Sequence, residues 1–126
     1  MLGCSSSWLK IPDSKYNLDD PNRPPIMITP GELEYPYLAS KVKIEGAIIV
    51  NLNIDETGIV TNVQIIDRQF NCTGVLRNDG TMISVKDLFD DLIIRFYKNT
   101  RFSPAKKDGK PIASIFQTGM NFELIQ

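Results

Sequence analysis

The stretch Arg101-Phe102-Ser103-Pro104-Ala105, followed by Lys107-Asp108-Gly109-Lys110-Pro111 and an alternating run to Leu124, decides the reading of the fold. Glycine and proline punctuate residues 107–111 as a turn, and the turn leads into one long strand. Along that strand Ile112, Phe116, Met120, Phe122 and Leu124 share a face, and Gln117, Gly119, Asn121 and Glu123 share the other. A period of two with one apolar face is the pattern of a half-buried strand.

Working back from it, Val85, Leu88, Phe89, Leu92, Ile93, Phe96 and Tyr97 recur at helical spacing and make one wide apolar stripe. Ser84 is placed to cap this helix, with Asp87 as the acidic partner three residues on, and Asn99-Thr100 ends it. Further back, Ile44 to Ile54 alternates, with Ile48, Val50, Leu52 and Ile54 against Ala47, Ile49, Asn51 and Asn53. Asp55-Glu56-Thr57-Gly58 turns the chain, and Ile59 to Asp67 returns as a second strand, so the two form an antiparallel hairpin. Residues 68–83, with Cys72, Gly74 and Asn78-Asp79-Gly80, read as an irregular loop in which the last three close a small excursion.

Residues 1–30 read as an extended linker, because Pro12, Pro21, Pro24, Pro25 and Pro30 disfavour helix. A short turn or helix is expected over Glu32 to Lys41, interrupted at Tyr35-Pro36. The expected domain is therefore 31–126: α+β, two-layer, a three-stranded antiparallel sheet packed against one or two helices.

Composition narrows the function. The net charge of -1 leaves no basic surplus to displace counterions from phosphate, which argues against nucleic acid. With no histidine in 126 residues, Ser-His, Cys-His and His-zinc chemistry are excluded. Asp90-Asp91 and Asp19-Asp20 are adjacent carboxylates and do not converge from separate elements as acid–base hydrolysis needs. No enzyme, cofactor or metal is expected. Asn51, Asn53, Asp55 and Gly58 echo a calcium loop, but the closing glutamate is missing and a hairpin turn accounts for them. Arg101, Lys106, Lys107 and Lys110 read as a solvated basic turn or as a contact for an anionic lipid or peptidoglycan. No apolar run is long enough to span a bilayer. Leu2-Gly3-Cys4 before three serines is similar to the end of a bacterial lipoprotein signal, with Cys4 as the acylated residue. The other readings of Cys4 are a plain N-terminal cysteine and a disulfide with Cys72.

The last strand carries the functional reading. Placed after the helix, it adds to one side of the hairpin and remains an edge, and from Ile112 to Asn121 it has neither charge nor proline to blunt that edge. Such an edge is a template for an incoming peptide strand. A covered edge and a homodimer paired through it are the competing readings.

These parts in this order resemble the C-terminal domain of TonB, the periplasmic energy transducer of Gram-negative bacteria. The residues that carry the resemblance are Tyr35-Pro36, Ile44-Glu45-Gly46, Ile54-Asp55-Glu56-Thr57-Gly58, Val60 to Val63, Arg101 to Ala105, Asp108 to Pro111 and Phe122-Glu123-Leu124. They cover about residues 30–126. The resemblance implies a sheet of strand order 2-1-3, with helices on one face. It also implies a partner-binding site at Tyr35, Pro36, Ser114, Ile115, Phe116, Gln117, Thr118 and Gly119, which in the family receives the TonB-box segment of outer-membrane transporters. The chain departs from the family at Thr100, where tryptophan is usual, and in its longer, more polar 68–83 segment. The expectation is a periplasmic protein-binding module, lipid-anchored if Cys4 is acylated. The alternatives are an inhibitor or immunity lipoprotein acting through residues 68–83, and a fragment of a full TonB transducer.

Overall fold

The computed structural model describes residues 15–32, 44–77 and 79–122. Cys4, Tyr35, Pro36 and the helix expected within 32–41 lie outside them, apart from Glu32. The described chain is α+β, with one helix and several antiparallel sheets.

Strands β2 (Gly46–Ile54) and β3 (Val60–Phe70) form the hairpin. The turn between them is held by the Asp55 carboxylate, whose Oδ1 accepts from the Thr57 amide at 2.9 Å, the Thr57 hydroxyl at 2.6 Å and the Ile59 amide at 3.0 Å. Gly58 sits at φ 89°, and a Cβ there would run into the Phe102 carbonyl oxygen. That close approach is used: the Phe102 amide donates to the Gly58 carbonyl at 3.2 Å.

On β2, Ile48, Val50, Leu52 and Ile54 are buried, as the alternation requires. Each such side chain taken from water contributes about 1.5–3 kcal/mol of gross stabilisation. β3 departs from simple alternation. Its pairing shifts between Ile49 and Val50, so Ile49 faces Asp67 while Val50 faces Ile65, and the phase of the strand reverses there. Ile66 is left outward, and Phe70 turns in to stack on Phe89 at 4.9 Å between ring centroids. The strand therefore runs beyond Asp67, its expected end.

Residues 68–83 are not one irregular loop. After β3 ends, β4 (Gly74–Leu76) pairs with β5 (Met82–Ser84) around a tight turn. In that turn the Arg77 amide donates to the Thr81 carbonyl at 2.7 Å, and Asp79 Oδ1 accepts from the Thr81 amide and hydroxyl. Val75 is buried in the core and Ile83 packs against it, which supplies the apolar anchor for strands too short to show a period.

Helix α1 (Val85–Lys98) starts at Ser84, whose Oγ accepts from the Asp87 amide at 3.1 Å. Val85, Phe89, Ile93, Phe96 and Tyr97 are its buried face. Phe89 meets Phe122 edge-on at 4.8 Å, and burial raises the Tyr97 phenol well above its ordinary pKa. Asp90, one of the two adjacent carboxylates, is not merely solvated. It takes Arg68 Nε at 2.9 Å and Nη2 at 2.7 Å, tying β3 to the helix.

After α1 come β6 (Arg101–Ser103), β7 (Ala105–Lys107), β8 (Lys110–Ile112) and β9 (Ser114–Phe122). β7 and β8 pair around Asp108-Gly109, both at positive φ. The described residues before Gly31 begin in bends and a turn at residues 15–22, and from residue 18 they are latched to these strands. β1 (Ile26–Thr29) pairs with β6, and Arg23 exchanges both backbone hydrogen bonds with Lys106, at 3.1 and 3.0 Å. The Arg23 side chain is 5 % exposed and donates to carbonyl oxygens of Leu18, Pro24 and Pro104 and to Ser103 Oγ. Its charge is thus solvated by the chain itself.

Candidate functional site

The main sheet has strand order β3-β2-β9, which leaves β9 with β2 on one flank and no described strand on the other. The register runs without a shift from Gly46 opposite Phe122 to Ile54 opposite Ser114. The direction of each peptide group follows from the other side of β2. The Asn71 amide donates to the Glu45 carbonyl oxygen at 2.9 Å and the Asp55 amide to that of Ile59 at 2.9 Å. Odd-numbered residues of this strand therefore turn toward β3, and even-numbered ones toward β9. Ser114, Phe116, Thr118, Met120 and Phe122 bond inward, while the peptide groups of Ile115, Gln117, Gly119 and Asn121 point away from the sheet.

The two faces of β9 differ as sharply. Met120 and Phe122 are buried beneath α1, and Phe116 is half-buried with its ring 6.1 Å from that of Phe102. Ser114 and Thr118 are half-buried on the same side. On the open face Ile115 is 71 % exposed, and Gln117, Gly119 and Asn121 are exposed. The sequence-expected residues Ser114 to Gly119 thus lie on one edge strand, and Asn121 extends that edge beyond them. Asn121 was missed because nothing in the alternation alone marks where a partner strand would stop.

β3, the opposite edge of the sheet, is a poorer template. Its pairing with β2 shifts at two places, between Ile49 and Val50 and between Asn53 and Ile54. It also carries Asp67 and Arg68. Bulges and charges are the devices that keep an edge from recruiting a further strand. β9 has neither between Ser114 and Phe122.

The other residues singled out in the sequence fall elsewhere. Asp55 is held below the ordinary carboxylate pKa, first by the Thr57 hydroxyl and then by the Ile59 amide, and its hydrogen bonds hold the turn. Lys106 of the basic cluster donates from Nζ to the Leu18 carbonyl at 3.0 Å. Cys72 is half-buried against the core with a free thiol. No described helix is long and apolar enough to cross a membrane.

No curated protein matches the chain. A family model described as the Gram-negative bacterial TonB protein C-terminal matches residues 31–69. That span contains β2 and all of β3 except Phe70, the hairpin on which β9 is laid. By this match residues 31–69 of the chain are similar to the TonB C-terminal domain family.

Proposed function

We propose that the protein is a periplasmic binding module that engages an extended segment of a partner protein by strand addition along β9. Domains of this family are protein-interaction modules of the Gram-negative periplasm, which supplies the setting. The observation that carries the reading is the contrast between the two sheet edges: β3 is bulged and charged, β9 regular and uncharged. Outward amides and carbonyls at Ile115, Gln117, Gly119 and Asn121 supply a ladder of alternating donors and acceptors, and the exposed side chains beside them supply selectivity. In this reading the order β3-β2-β9 is the family's 2-1-3 sheet, Tyr35 and Pro36 help to bind the guest strand, and an acylated Cys4 holds the module at a membrane.

The test is titration of the isotopically labelled protein with a synthetic TonB-box segment of an outer-membrane transporter. Amide shifts are expected at Ile115, Gln117, Gly119 and Asn121. Gln117→Pro should abolish them while leaving the fold intact, because it removes a donor that β2 does not use. Shifts elsewhere with β9 silent would refute the proposal.

One observation favours a second reading, in which the module blocks a toxin or a cell-wall enzyme. Leu76 and Met82 stand directly opposite each other on β4 and β5, and they are 62 % and 63 % exposed. Leu76→Asp would then abolish binding and Gln117→Pro would not.

A further inference from the structure

The open face of the sheet has a gap at its receptive edge. In the row that crosses the sheet there, Asp67 of β3 is opposite Ile49 of β2, and Ile49 is opposite Gly119 of β9. Gly119 has no side chain to cover its neighbour. A Cβ built on it would meet Ile49 Cγ1 at 3.9 Å and the Ile48 carbonyl oxygen at 3.4 Å, so Ile49 leans toward the empty position. Ile49 itself is half-buried, and Gln117 and Asn121, the next residues on this face of β9, are exposed amides. The result is a notch floored by glycine backbone, walled by an isoleucine and rimmed by two amides. Backbone conformation does not demand glycine here, since Gly119 is not among the glycines at positive φ.

We propose that Gly119 is the specificity-determining position of the β9 edge, and that the guest residue opposite it is a large apolar one, preferably aromatic. This rests on the strand-addition reading and adds to it the chemistry of one guest side chain. Adjacent strands lie about 4.8 Å apart, so a ring on the guest strand that leans inward covers Gly119 and reaches the flank of Ile49. Aromatic cover of an edge glycine and an aromatic–β-branched pair are both favourable in sheets. A guest threonine is too short to reach Ile49. A guest lysine would lay its stem over Gly119 and keep its ammonium in water, giving less apolar cover than a ring.

The experiment uses fluorescently labelled ten-residue peptides with a threonine-valine background, in which phenylalanine, leucine, threonine or lysine is moved through each position in turn. Binding to the full chain is read by anisotropy. Phenylalanine at one position, and not at its immediate neighbours, should tighten binding about fivefold over threonine. Gly119→Thr should remove that gain, so that the phenylalanine and threonine peptides bind it alike, and its thermal midpoint reports that the fold is intact. Ile49→Thr, which takes away the wall and leaves β9 unaltered, should remove most of the gain and serves if Gly119→Thr fails to fold. Peptides that bind without any positional gain from phenylalanine would overturn the notch and leave strand addition standing, as would a gain that survives in both variants. If no peptide of the set binds, strand addition fails and the notch with it.

Discussion

The Thr100 hydroxyl joins two distant parts of the chain: it donates to the Phe96 carbonyl at 2.7 Å and accepts from the Gly31 amide at 3.0 Å. Thr100 is 1 % exposed, and its bond to the Phe96 carbonyl is buried. This polar anchor closes the C-terminal end of α1 and ties it to Gly31. Thr100→Val keeps the volume and removes both bonds. It should destabilise the fold by about 1 kcal/mol, read by chemical denaturation, because the half-buried Gly31 amide loses its partner.

Arg23 predicts how the N-terminal segment behaves. Its guanidinium is held by Leu18, Pro24, Pro104 and Ser103, with no carboxylate among these partners. Arg23→Met fills much of the same space but takes this donor from the Pro24 and Pro104 carbonyls and from Ser103 Oγ, while the Leu18 carbonyl keeps Lys106 Nζ. The cost should be about 2–3 kcal/mol of local stability, seen as faster proteolysis within residues 15–30 and faster amide exchange at Lys106. Urea unfolding of the main sheet should shift much less, since β2, β3 and β9 make none of these bonds.

Much of this architecture was legible because burial imposes a period. Ser84, Asp87 and the stripe from Val85 to Tyr97 mark α1 without ambiguity, and the alternation of Ile48 to Ile54 marks a strand with one wet face. β3 was legible only to its bulge, since one inserted residue exchanges the faces of everything after it. Residues 74–84 hide a hairpin because strands of three residues are too short to repeat a period of two. The latch at Arg23 was hidden for a different reason: its partners are mainly backbone carbonyls, which no pattern of side chains announces. The site follows the same division. The two faces of β9 are written in its alternation, whereas the outward direction of the Gln117 and Gly119 amides depends on register with β2, a long-range fact.

Asp55 makes the hairpin turn sensitive to acid. Its pKa is lowered from 3.8 by the Thr57 hydroxyl and the Ile59 amide, so the folded turn favours the carboxylate. Its contribution is complete above pH 3.8 and is lost as the pH falls through the lower, folded-state value. The Thr57 and Ile59 amide resonances should move together in that acid window and remain flat from there to neutral pH. Asp55→Asn should abolish the titration and raise amide exchange at Ile59, with α1 unaffected.

The exposed Ile115 permits a test of the β9 edge that leaves the core alone. Its side chain is 71 % exposed on the open face, so Ile115→Lys removes little burial and should alter stability by no more than about 0.5 kcal/mol. A lysine there places charge beside outward peptide groups, which is how edge strands are ordinarily kept from pairing. Binding of a TonB-box peptide should weaken, and any self-association through β9 should fall, both measured on the same sample by titration and by light scattering against concentration. Ile66→Lys, a change of the same kind on the bulged β3 edge where Ile66 is 41 % exposed, should leave both readouts where they were. Equal effects from the two substitutions would mean that net charge, rather than the β9 edge, governs association.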